Sequence, residues 1–101
     1  MTRVLIGAKQ ASNEVLGAVI RANPGPEDNL TTGPLDAEVV PTLTAGADFF
    51  EQNPGTAEAA ARIREIAVRY RNGRPTAQEW HADYRFASRL DADMMKRLMG
   101  Q

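Results

Sequence analysis

Sixteen of the 101 residues are alanine, and this feature constrains the fold more than any other. Alanine has the highest helix propensity of the amino acids, and its small side chain lets neighbouring helices approach closely. The apolar fraction is 43% and the charged fraction 25%, both close to the averages of globular proteins. Because so many of the apolar residues are alanines, large core side chains are scarce. The composition therefore predicts a folded chain whose helices pack close together.

The spacing of apolar residues predicts an all-α fold, a small irregular bundle of about five helices in a single domain spanning residues 1–101. The clearest helix follows Thr56, an expected N-cap, and ends at Asn72-Gly73. Its apolar residues recur every three or four positions, as the core-facing side of a helix requires. This predicted stripe consists of Ala59, Ala60, Ile63, Ile66, Ala67 and Tyr70.

Two further helices are predicted after this one. Thr76 and Glu79 have the spacing of a capping box, which marks the start of a helix running toward Ser88. Its predicted apolar face carries Ala77, Trp80, Tyr84 and Ala87. Asp91 is then expected to cap a short last helix that contains Met94, Met95, Leu98 and Met99.

The amino-terminal half is predicted less fully. A helix with Ser12 as its cap carries Val15, Leu16, Val19 and Ala22, and residues 3–8 either extend it or form a short extended segment. A Pro/Gly-rich loop follows at 23–36. Asp36 is expected to cap the next helix, with Val39, Leu43, Ala47 and Phe50 on one face. Pro41 requires either that this helix begins nearby or that Val39-Val40 is extended.

Several classes of protein are excluded or disfavoured by the composition. The chain has no cysteine, so disulfides, thiolate zinc sites and a cysteine nucleophile are absent. It has no apolar run of membrane-spanning length, which indicates a cytoplasmic protein without a membrane partner. His81 is the only histidine, and no catalytic, cofactor-binding or metal-ligating pattern surrounds it. We therefore expect no enzyme, no cofactor and no metal site.

Charge is distributed unevenly along the chain. Residues 1–56 hold three basic and seven acidic side chains, whereas residues 57–90 hold seven arginines and four acids. Arginine is suited to binding carboxylates and phosphates, and Trp, Tyr and Arg are frequent at the centres of protein interfaces. The residues predicted to bind a partner are Arg62, Arg64, Arg69, Arg71, Arg74, Trp80, Tyr84 and Arg85.

On a helical wheel, Arg62 and Arg69 lie on one flank of the apolar stripe and Arg64 and Arg71 on the other. Arginines in such positions usually cover the edge of the core with their stems. We therefore expect a non-enzymatic helical protein–protein interaction module, an adaptor, inhibitor or regulatory subunit, with a partner that presents an acidic surface. The alternatives are a nucleic-acid-binding regulator that uses the Arg-rich helix 57–74, and a homodimer. The excess of ten arginines over two lysines, with abundant alanine, suggests a bacterial or phage gene.

Overall fold

A computed structural model shows four α-helices and describes residues 2–25, 35–53 and 55–99. The helices are α1 (Thr2–Arg21), α2 (Val39–Gln52), α3 (Ala57–Arg71) and α4 (Ala77–Met99). Helix α1 packs against α2 and α4, and α2 packs against α3. The predicted all-α class is confirmed for these residues. None of the helices in the described ranges has the length and apolarity that crossing a bilayer requires.

The predicted number of about five helices is not confirmed, because the last two predicted helices form one. No glycine or proline interrupts the sequence of α4. The buried positions Asp83, Ala87, Leu90 and Met94 continue one face at spacings of four and three residues. Asp91 therefore lies inside a continuous helix and does not begin a new one.

The alternative of an extended amino-terminal segment is not confirmed either, since residues 3–8 belong to α1. Ala8 is fully buried, and Gly7 lies against the ring of Phe49 in α2. Packing against a neighbouring helix thus outweighs the strand preference of Val4-Leu5-Ile6. Ser12, predicted as a cap, is instead a buried residue in the middle of this helix.

The predicted loop at 23–36 falls mostly on residues 26–34, outside the described part of the chain. Residues 23–25 and 35–36 at its ends are not helical. Asp36 accepts a hydrogen bond from the backbone N–H of Glu38 at 2.9 Å, just before α2 begins at Val39. Pro41 is the third residue of α2. Its lack of an N–H costs no hydrogen bond there, because the first N–H groups of a helix have no acceptor within the helix.

The caps of the two later helices differ in kind. The capping box of α4 is confirmed, since the Thr76 hydroxyl accepts from the Glu79 N–H at 3.1 Å and the Glu79 carboxylate accepts from the Thr76 N–H at 2.9 Å. Thr56 does not cap α3 with its side chain. Its buried hydroxyl instead bonds back to the carbonyls of Phe50 and Asn53, which closes the turn between α2 and α3.

One core cluster includes residues from all four helices, and the predicted stripe of α3 is buried at every one of its six positions. Small residues bring α1 and α2 together. A Cβ atom added at Gly46 would lie only 2.6 Å from the Val15 Cγ2 atom, which is closer than non-bonded carbon atoms pack. The two helices can therefore approach this closely only because position 46 has no side chain.

We expect Gly46→Ala to destabilise the protein by about 1–3 kcal/mol, although alanine normally favours a helix over glycine. The overlap with Val15, a stiff and fully buried side chain, is the reason. Val15→Ala should cost less in the Gly46→Ala background than in the wild type, because it makes room for the new methyl group. Urea unfolding of the four chains measures both effects, and a stabilising Gly46→Ala substitution would show that the contact is absent.

Candidate interaction surface on helix α4

A buried carboxylate connects α3 to α4. The Asp83 side chain is 1% exposed, and both of its oxygens accept hydrogen bonds from α3. Arg69 donates through Nη2 to Oδ1 at 2.6 Å and through Nη1 to Oδ2 at 3.1 Å. The Tyr70 hydroxyl donates to Oδ2 at 2.7 Å. The charge of Asp83 is therefore paired and its hydrogen-bonding capacity is well used, as burial of a carboxylate requires.

The same contacts alter the ionisation of the donors. Burial first of all, and then the hydrogen bond to Asp83, raise the pKa of the Tyr70 hydroxyl far above its ordinary value. The hydrogen bonds to Asp83 likewise raise the pKa of the Arg69 guanidinium. Both donors therefore keep their protons over the whole range of pH in which proteins normally fold.

A second contact connects α4 to α1. The Trp80 indole Nε1–H donates to the Val19 carbonyl at 2.7 Å, so the first turn of α4 meets the last turn of α1. Asp83 and Trp80 are three residues apart and point toward different helices. Together they fix the rotation of α4 about its own axis, and that rotation decides which of its side chains face solvent.

An aromatic group lies at the edge of the outward side of α4. The Tyr84 ring stacks on Trp80 with centroids 5.2 Å apart and an interplanar angle of 19°. The His81 ring meets Trp80 edge-on at 5.4 Å. Tyr84 was predicted to face the core with Trp80, but it remains 39% exposed because the buried side of α4 is centred on Asp83 and Ala87.

Next to this group, three cations share the outward side of α4. Arg85, Arg89 and Lys96 are exposed, and at 100° per residue they fall within a sector of about 40°. Within the described chain none of the three forms an ion pair. Of the acids of α4, Asp83 is buried, Glu79 belongs to the capping box and Asp91 is half-buried, whereas the exposed Asp93 borders this row of cations four residues after Arg89. We call Tyr84, Arg85, Arg89 and Lys96 the α4 face.

The arginines predicted to bind a partner on α3 are largely engaged inside the chain. Arg62 lies over the Phe86 ring of α4 at 5.6 Å, and Arg69 binds Asp83. Arg64 pairs with Asp48 at 2.7 Å and with Glu51, both in α2. The predicted flanks are thus correct, since one flank of α3 faces α4 and the other faces α2.

Two more of the predicted arginines lie where the chain leaves α3, Arg71 as its last residue and Arg74 in the turn before α4. Arg71 is exposed and Arg74 is half-buried, and both border a small pocket beside Leu35 and Val40. The outward side of α3 also carries the exposed acids Glu58 and Glu65. Of the eight predicted residues, the structure therefore brings Tyr84 and Arg85 to the outward side of α4, with the half-buried Trp80 beneath Tyr84.

The sequence pattern did not lead to the prediction that Arg89 and Lys96 lie beside Arg85 on the exposed side of α4. The signal was their spacing of four and seven residues, which places side chains on one side of a helix. Ending the helix near Ser88 and beginning another at Asp91 concealed this signal.

No group of His, Cys, Asp or Glu side chains in the described ranges is arranged to hold a metal ion.

Comparisons with known proteins return no relative: no family model, no curated protein and no solved structure matches the chain. The geometry of the described residues therefore carries the functional argument.

We expect Arg69→Met to lower the free energy of unfolding by about 3 kcal/mol, because, of the donors to Asp83 in the described part of the chain, it leaves this buried carboxylate with Tyr70 alone. Arg62→Met is the matched control, since it makes the same change two turns away on the same flank of α3, where the lost contact is a cation–π contact with Phe86 worth about 0.5–1 kcal/mol. Urea unfolding at neutral pH compares the two variants. Equal costs would show that the Asp83 network does not brace the fold.

We expect stability to fall as the pH rises above about 10, where an unfolded tyrosine loses its proton while the buried Tyr70 keeps it. This contribution is fully present below that pH, because the folded-state pKa is the higher one. Tyr70→Phe should lose about 1 kcal/mol at pH 7 and show a smaller alkaline decline. Urea midpoints measured from pH 7 to alkaline pH test this, and parallel declines in both chains would contradict it.

Proposed function

We propose that the protein is a non-enzymatic interaction module, an adaptor or regulatory subunit, that binds an acidic protein surface through the α4 face. The observation that carries the proposal is the row of exposed cations, Arg85, Arg89 and Lys96, beside the stacked Tyr84 ring. The cations attract and orient an acidic partner. The aromatic ring supplies apolar area with few rotatable bonds, which suits the centre of an interface.

The rigidity of the surface supports the same proposal. The Tyr84 ring stacks on the Trp80 ring, and the Trp80 indole is itself hydrogen-bonded to α1. Asp83 fixes the neighbouring turn of α4 on α3. A partner therefore meets side chains whose backbone is already ordered, and binding costs less conformational entropy than on a mobile loop.

A nucleic-acid partner is the second candidate, and the α4 face is better suited to it than helix 57–74. Three of the arginines between positions 57 and 74 are engaged by Asp83, by Phe86 or by the acids of α2. The row on α4 spans 12 residues, about 16 Å of helix, and could contact phosphates along one strand. Its small number of cations favours a protein partner. Composition favours a bacterial or phage source and a cytoplasmic location for either role.

The test places a photo-cross-linking phenylalanine derivative at position 84 and uses nuclease-treated extract of the native cells at low salt. We expect one discrete protein adduct. Arg89→Glu/Lys96→Glu should reduce its yield at least tenfold, since it turns attraction into repulsion. The control Lys9→Glu/Arg71→Glu changes the net charge equally on other surfaces and should leave the adduct unchanged.

Two outcomes would contradict the proposal. An adduct that both charge variants reduce equally would show a general effect of net charge. An adduct that forms only without nuclease, with a yield that falls steeply as salt rises, would move the assignment to nucleic acid.

A further inference from the structure

Three glycines lie inside the helices α1 and α2, and only two of them are required by the fold. A Cβ atom at Gly7 would come within 2.8 Å of the Phe49 ring, and one at Gly46 within 2.6 Å of Val15. A Cβ atom at Gly17 would meet none of the described residues within 4 Å. Because glycine inside a helix costs about 1 kcal/mol relative to alanine, Gly17 weakens α1 without any packing benefit inside the chain.

Gly17 lies on an open groove between α1 and α2 with a volume of about 890 Å³. Glu14 and Arg21 border the same groove, three residues before Gly17 and four residues after it. At 100° per residue the three positions fall within about 60° on the outward side of α1. Among the described residues neither Glu14 nor Arg21 forms an ion pair.

We propose that a second copy of this chain docks on the groove, with the two α1 helices crossing antiparallel at Gly17. A two-fold axis through this point places residues before position 17 of one copy opposite residues after position 17 of the other. Glu14 of each copy then faces Arg21 of the other, which gives two ion pairs related by the two-fold axis. The missing side chain at position 17 lets the two backbones approach at the crossing point.

The pattern of charge selects a second copy over an unrelated partner. One acid and one base stand at nearly equal distances on either side of the glycine, so the surface is complementary to itself when turned by 180°. The same arrangement repels a parallel copy, in which Glu14 would face Glu14.

A single crossing of two helices covers less area than the roughly 1,600 Å² of a standard interface, so we expect a dissociation constant in the micromolar range. Sedimentation equilibrium from about 1 to 300 µM protein should show the mass rising from that of the 11.0 kDa monomer toward twice that value. A mass that stays at the monomer value throughout this range would overturn the proposal.

Charge reversal identifies the interface. Glu14→Arg and Arg21→Glu should each weaken the dimer at least tenfold, because each variant places like charges opposite one another. The double variant Glu14→Arg/Arg21→Glu should restore it, since the pairs re-form with reversed polarity. Glu65→Arg, an exposed charge reversal on the outward side of α3, is the control and should leave dimerisation unchanged. Failure of the double variant to recover dimerisation would refute the antiparallel pairing.

Gly17→Leu tests the crossing point without threatening the fold. The added side chain enters open space in the monomer, and leucine favours a helix over glycine, so the melting temperature should not fall. The dimer should weaken at least tenfold, whereas an unchanged dissociation constant would exclude position 17 from the contact. Arg89→Glu/Lys96→Glu should leave the dimer intact, which keeps this result separate from the test of the α4 face.

Discussion

The buried carboxylate of Asp83 is the interaction on which the arrangement of the helices most depends. Removing such a charge from water costs several kcal/mol unless it is paired and hydrogen-bonded. Arg69 and Tyr70 meet this requirement only when α4 takes one register and one rotation against α3. That rotation turns Ala87, Leu90 and Met94 inward and leaves the opposite side of α4 to solvent. The outward row of cations is therefore a consequence of where a single acid is buried.

The interactions that connect α1 to α2 differ from those that connect α3 to α4. Helices α1 and α2 approach closely because glycine and alanine occupy the contact, as at Gly46 against Val15. Helices α3 and α4 are connected by long side chains instead, with Arg69 on Asp83 and Arg62 on Phe86. A chain with few large core residues can thus build a bundle of about 46 × 20 × 18 Å by pairing small residues in one half and polar ones in the other.

Local rules allowed much of this fold to be predicted from the sequence, and non-local ones explain the failures. The buried stripe of α3 and the capping box of α4 depend on residues three or four apart, and both are confirmed. The burial of Asp83 depends on two side chains 13 and 14 residues away, which periodicity does not detect. Because the core position 83 is occupied by an aspartate, the pattern of apolar residues placed the centre of the buried face of α4 at Trp80 and Tyr84. The prediction of two helices in place of the continuous α4 hid Arg89 and Lys96.

The uneven charge of the sequence is partly neutralised within the fold, and both proposed contacts use charges that remain exposed. Asp48 and Glu51 in the acidic half pair with Arg64 in the basic half, so that part of the charge is not available to a partner. The cations of α4 remain exposed, as do Glu14 and Arg21 of α1. The groove beside α1 is formed with α2, whereas the α4 face points away from the core on another helix. The two proposed contacts therefore do not compete. A dimer formed through α1 would present two α4 faces, which would raise its apparent affinity for a partner with repeated acidic sites without any additional contact.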